Sequence, residues 1–135
     1  MGKKNSLSSI QTILFDQQLY QNDFKTLDDI NQFKIDNMKE LGTTDHFSGE
    51  PPWGFLIHHT THPIYLHNYF MGDVTCEMFK QVYCKEKGIN SIFEDTLGFG
   101  KFLKEKVIEP SGLYKFEELF KNISGEDFSL KYIMN

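Results

Sequence analysis

The stretch TLDDINQFKIDNMKELG, residues 26–42, carries both ends of a helix in its own residues. Thr26 and Asp29 stand where a capping box places its hydroxyl and its carboxylate, each satisfying a backbone N–H of the other's residue. Ile30, Phe33, Met38 and Leu41 follow as an apolar stripe, and Gly42 is a natural stop. Such a segment has to bury one face against something else. What else the chain offers is again helical.

Upstream, SLSSIQTILFDQQLYQ has Ile10, Ile13, Leu14 and Phe15 near helical spacing, with serines available as caps. TTDHFSGEPPWGF reads as a loop from its Gly and Pro content. A long helix is expected from Pro63, a residue favoured in the first turn, to Gly88. Ser91 and Glu94 form a second capping box ahead of IFEDTL. GFGKFLKEKVIEP reads as a short helix after a glycine-rich bend, ended by Pro110. YKFEELFKNISG and FSLKYIM read as two short closing helices. Strand-like alternation is essentially missing, so the expected class is all-α, one multi-helix domain over residues 1–135 with a flexible start at residues 1–9.

With 135 residues the chain is long enough to bury a core, and its 15% aromatic content, including 13 Phe and 6 Tyr, makes that core rich in rings. All 14 basic residues are lysine and the net charge is −5. That leaves no basic footprint for nucleic acid and no arginine fork for phosphate or carboxylate. No apolar run approaches the roughly 20 residues of a membrane span, and no apolar leader core is visible, so a cytoplasmic location is expected. Cys76 and Cys84 lie too far apart on a helix to bridge each other and are expected as free thiols.

The chemistry-bearing segment is HHTTHPIYLHNYFMG, residues 58–72, which holds four of the five histidines together with Tyr65 and Tyr69. Imidazole and phenol groups aimed at one point from two backbone directions are the donors that stabilise a developing oxyanion. A metal site is the competing reading, because His58 and His62 stand at i, i+4 and His59 lies between them. Against it, the segment has no HExxH, no CxxC and no carboxylate, and zinc needs at least three protein ligands. The plain alternative is that Tyr65, Tyr69 and Phe70 are core rings while the histidines cap or bond locally.

HPIYLHNYFMGDVTCEMF resembles the C-terminal helical region of the gluzincin zinc peptidases, the group of oligoendopeptidase F, thimet oligopeptidase and the angiotensin-converting-enzyme-like peptidases. Their pattern there is a histidine followed about ten residues later by a tyrosine, in a helix of the form P-x-Y-x-x-N-Y-x-x-G. Pro63, Tyr65, Asn68, Tyr69 and Gly72 match it. FDQQLYQNDFKTLDDINQFKIDNMKELG resembles the family's preceding helix pair, and the segment from Gly98 to Met134 resembles its tail. The resemblance thus covers roughly residues 10–133.

It implies that Tyr69 donates to a tetrahedral oxyanion and that His59, with its neighbour His58 as the alternative, hydrogen-bonds substrate. His62 and Tyr65 would line the substrate site. The family's HExxH and its glutamate ligand would lie upstream of Met1, so zinc is expected only with that half, and this chain alone holds no cofactor. The leading expectation is a C-terminal fragment or subunit of a zinc-oligopeptidase-like fold, inactive by itself, that works with a zinc-bearing half or self-associates through an exposed apolar face. The alternatives are a non-enzymatic helical peptide- or protein-binding module and an independent histidine-based metal-binding protein.

Overall fold

The computed structural model describes residues 3–42, 52–110 and 112–134. Among them every regular element is helical: α1 Lys3–Gln21, α2 Leu27–Glu40, α3 His58–Thr61, α4 His67–Lys87, α5 Thr96–Leu103 and α6 Phe116–Ser124. Short 3-10 turns at Pro52–Phe55, Ile92–Glu94 and Leu130–Ile133, and a π-helical extension Lys104–Ile108, complete the set. The all-α class therefore holds for the described residues. No helix among them is long and apolar enough to cross a membrane. The chain groups into two compact units, Met1–Phe70 and Met71–Asn135. Most of the expected 43–55 loop and the first two residues lie outside the described residues, and α1 is already helical at Lys3.

In the first unit α1 packs on α2. The capping box is formed as the residues imply: Thr26 Oγ1 accepts from Asp29 N at 3.1 Å, and Asp29 Oδ2 accepts from Thr26 N at 2.9 Å. The backbone N–H of Lys25, which donates to the same oxygen at 3.0 Å, and that of Thr26 hold the Asp29 carboxyl below its usual range. Gly42 ends the segment with φ 65°, the left-handed conformation that glycine adopts without steric cost. Phe15 is fully buried at the centre. Its ring meets Phe33 and Trp53 at 6.0 Å each and His59 edge-on at 5.1 Å. Trp53 is anchored in turn, its indole N–H donating to Asn31 Oδ1 at 2.7 Å.

Lys34 of α2 is buried as well, with its ammonium 4.3 Å from the Phe15 ring centroid. Burial pushes this lysine down to about 8. An ordinary lysine keeps its proton to about 10.4, so between these values the unfolded chain binds a proton that the folded chain has released. Stability of the first unit must therefore rise with pH across that window, by at most about 1.4 kcal/mol per pH unit. Urea midpoints read from Trp53, the one tryptophan of the sequence, are expected to show a rise that Lys34→Met removes. Parallel curves for the two proteins would contradict the burial of a charged amine.

The second unit is built around Met78, Tyr83, Phe102, Phe120, Ile123 and Tyr132, with Phe79, Phe99, Leu103 and Phe128 packed against them. On α6, Phe116, Leu119, Phe120 and Ile123 repeat at helical spacing, and Gly125 closes the helix at φ 77°. Ser91 and Glu94 form the expected box, though around a 3-10 turn. The next residue then caps α5, Asp95 Oδ1 accepting from Gly98 N at 2.9 Å. Its other oxygen accepts from Tyr83 Oη at 2.6 Å, which pushes the phenol up to about 12. Gly98 and Gly100, read from the sequence as a bend, lie inside α5. At Gly98 a Cβ would fall 2.1 Å from both Tyr83 Oη and Asp95 Oδ2, so the glycine admits this hydrogen-bond cluster. Cys76 and Cys84 are free thiols on α4.

Candidate functional site

The histidine segment does not form one helix from Pro63. It forms a single turn, α3, before that proline and the long α4 after it. The carbonyl of Ile57 organises the turn, accepting from Thr61 N at 2.8 Å and from the hydroxyls of Thr61 at 2.7 Å and Thr60 at 3.1 Å. The chain then breaks at Ile64, whose φ of 56° is left-handed and strained for a β-branched residue. Asn68 N bonds to Tyr65 O at 3.0 Å and Tyr69 N to Leu66 O at 3.2 Å as the backbone turns into α4. Proline's first-turn preference is local; the two threonine hydroxyls and the turn at Ile64 move the helix start to His67.

Tyr65 consequently precedes α4 while Tyr69 sits in its first turn, and the two rings still meet, edge to face, at 5.9 Å. His58 joins them from α3. Its Nε2 lies 3.0 Å from Tyr69 Oη, and its ring stacks on Tyr65 at 6.1 Å. His62 stands 6.0 Å from Tyr65 and 5.9 Å from His58, its Nδ1 bonded to Thr61 Oγ1 at 2.7 Å. Tyr65 and Tyr69 are about half exposed, so they are not the core rings that spacing alone equally allowed. Tyr69 also borders a shallow cleft of about 190 Å³ with Ser8, Thr12, Ile13, Leu66 and Phe70.

His59 points elsewhere. It is 2% exposed, with Nδ1 3.0 Å from Asp16 Oδ1, itself 1% exposed. A carboxylate only accepts, so Nδ1 carries the hydrogen. The His59 carbonyl takes the Tyr20 hydroxyl as donor. Consecutive residues on a helical turn diverge by about 100°, and α3 uses this to send His59 inward and His58 outward. Of the four residues expected to form the site, the structure brings Tyr69, Tyr65 and His62 together, with His58 rather than His59 as the histidine against the Tyr69 hydroxyl. His58, His59 and His62 do not converge as a ligand set, and no three metal-binding side chains cluster among the described residues.

The His58–Tyr69 bond has a useful chemical property. If the phenol donates to Nε2, the imidazole keeps Nδ1–H to offer; if Nε2–H donates to the phenol oxygen, the phenol keeps its own O–H. Either way one donor remains for an incoming oxygen. Asp16 and Lys34 are the residues that sequence reasoning missed. A carboxylate beside Phe15 in the apolar run Ile13–Phe15, and a lysine beside Phe33, were the available signals. No family model matches the chain, and no curated protein or solved structure is detectably similar to it.

Proposed function

We propose that the exposed His58, His62, Tyr65 and Tyr69 cluster binds the carbonyl or carboxylate oxygen of a peptide, with a small side chain in the cleft beside Tyr69. In this reading the chain is the donor-bearing, C-terminal helical part of a zinc-oligopeptidase-like fold, as its resemblance to the gluzincin peptidases implies. The metal and its activated water belong to a half that this sequence does not contain, so the chain alone does not cleave peptides. One observation carries the reading: a phenol and an imidazole 3.0 Å apart on an open surface, holding a spare donor in either tautomer. At 190 Å³ the cleft is smaller than the roughly 300–1,000 Å³ of small-molecule pockets and suits a single side chain. Phe55 in the first unit, and separately Phe93 and Leu97 in the second, are each more than four-fifths exposed and offer apolar surface to a complementing polypeptide or a second copy.

A phosphinic pseudopeptide, a stable tetrahedral mimic, tests the assignment. Titrated by NMR, it is expected to shift the ring signals of His58, His62, Tyr65 and Tyr69 and to leave His59 little changed. Removing a donor to a developing oxyanion typically costs 10²–10³-fold in rate; for binding of the phosphinate anion, Tyr69→Phe is expected to weaken the mimic at least about tenfold, one hydrogen bond to a charged oxygen. If millimolar pseudopeptide moves none of these signals, the proposal fails. The ordinary amide peptide of the same sequence binding equally well, with Tyr69→Phe indifferent, would instead favour a plain peptide-binding module.

A further inference from the structure

A cleft of about 800 Å³ opens in the second unit between the last turns of α4, the end of α6 and the closing turn Leu130–Ile133. Side chains tie its walls together. Gln81 Nε2 of α4 donates to Tyr132 O at 2.7 Å, Tyr132 Oη donates to Glu126 Oε1 at 3.0 Å, and Lys131 Nζ donates to Glu126 Oε2. The Ser124 hydroxyl holds the bend after α6, accepting from Glu126 N at 3.2 Å. Val82 and the buried Ile123 and Tyr132 give the lining its apolar part. Small-molecule sites occupy roughly 300–1,000 Å³, and this cleft falls in the upper part of that range.

The charges on its rim divide into two ends. Both Glu126 oxygens are engaged, and its carboxyl is held below the usual range by the Lys131 hydrogen bond, then by that of Tyr132, with the nearby Lys85 adding its field. Two lysines against one glutamate leave this group one positive charge. Glu86 also lines the cleft, at the position after Lys85, from which it diverges by about 100° around the helix. Neither Lys85 nor Glu86 is in an ion pair among the described residues. Gln81 and Asn122 add amide groups to the lining, which offer a peptide bond both a donor and an acceptor.

We infer that this cleft binds a free dipeptide with an apolar side chain. The ligand's carboxylate goes to Lys85 and to the Lys131 N–H groups that Glu126 leaves over, since an ammonium has three. Its ammonium goes to Glu86, and its side chain lies on Val82, Ile123 and Tyr132. Two extended residues span about 7 Å at most, which keeps the ligand's opposite charges apart instead of letting them cancel. A simple carboxylate would answer only the lysines, and a simple amine only Glu86. The cleft shares no residue with the ring cluster and does not depend on it.

Alanyl-leucine, its N-acetyl form and its C-terminal amide, titrated by NMR into the intact chain, test each end separately. The free dipeptide is expected to shift the amide signals of Val82, Lys85 and residues 122–126 together with the Tyr132 ring. Blocking either end should weaken binding about two- to fivefold, the scale of one exposed ion pair, and glycylglycine should bind more weakly than alanyl-leucine. Lys85→Gln should erase most of the preference for a free carboxylate, and Glu86→Gln most of that for a free amine. Both residues are exposed on α4, so both variants should stay folded. Equal binding of the free and blocked peptides, or preferences unchanged in both variants, would overturn the recognition of a zwitterion. No shift around the cleft at tens of millimolar dipeptide, or shifts confined to His58 and Tyr69, would overturn the site itself.

Discussion

Phe15→Ala is expected to destabilise the first unit by about 3–5 kcal/mol, the range for removing a fully buried phenylalanine. The ring has no exposed surface and is the shared neighbour of Phe33, Trp53, His59 and Lys34. Deleting it leaves a hole bounded by two helices and two short turns, elements that cannot collapse far without breaking their own caps. At roughly 0.05–0.15 kcal/mol per residue, a unit spanning Met1–Phe70 has a total stability on the order of 4–10 kcal/mol. The substitution therefore removes about a third or more of it. Equilibrium urea unfolding followed by Trp53 emission measures the loss, because that indole touches the ring in question. Phe55→Ala is the matched control: Phe55 is 89% exposed, and its loss should fall within about 0.5 kcal/mol. A change below about 1 kcal/mol at Phe15 would mean that no packed core exists there.

How much of this was legible beforehand follows the range of each interaction. Thr26 with Asp29, and Ser91 with Glu94, are decided within four residues, so both caps could be read directly. Gly42 and Gly125 end helices through their own backbone freedom, and that too is local. Pro63 taken by itself sets the start of the long helix too early, because α4 begins at His67. The opposing influences, threonine hydroxyls gathered on Ile57 O and a left-handed Ile64, are conformational choices that residue types only permit. Gly98 misled for another reason: two glycines near a turn usually mean a bend, but here one makes room for Tyr83 Oη, a tertiary contact. The ring cluster was legible as composition, whereas the choice between His58 and His59 was not. It depends on Asp16, separated from His59 by 43 positions, and no pattern of neighbours in the chain announces that pair.

The same pair makes the second large effect. Asp16→Ala should cost the first unit about 1–3 kcal/mol, because it leaves the buried His59 N–H without its acceptor. Asp16 and His59 are almost wholly enclosed, and among the described residues the Asp16 carboxylate is the side-chain group bonded to His59 Nδ1. Asp16→Asn keeps an acceptor at the same place and should lose clearly less. The double variant Asp16→Ala, His59→Ala should fall short of the summed single losses by 1 kcal/mol or more, as contacting residues do; strict additivity would dissolve the pair. The effect should also reach the surface. His59 and the Tyr20 bond to its carbonyl hold α3 from the inside, and α3 carries His58 to Tyr69. Under conditions where Asp16→Asn remains folded, the phosphinic pseudopeptide should bind it several-fold more weakly, although no mutated atom touches the ligand. Unchanged binding would show that α3 holds His58 in place without its buried anchor.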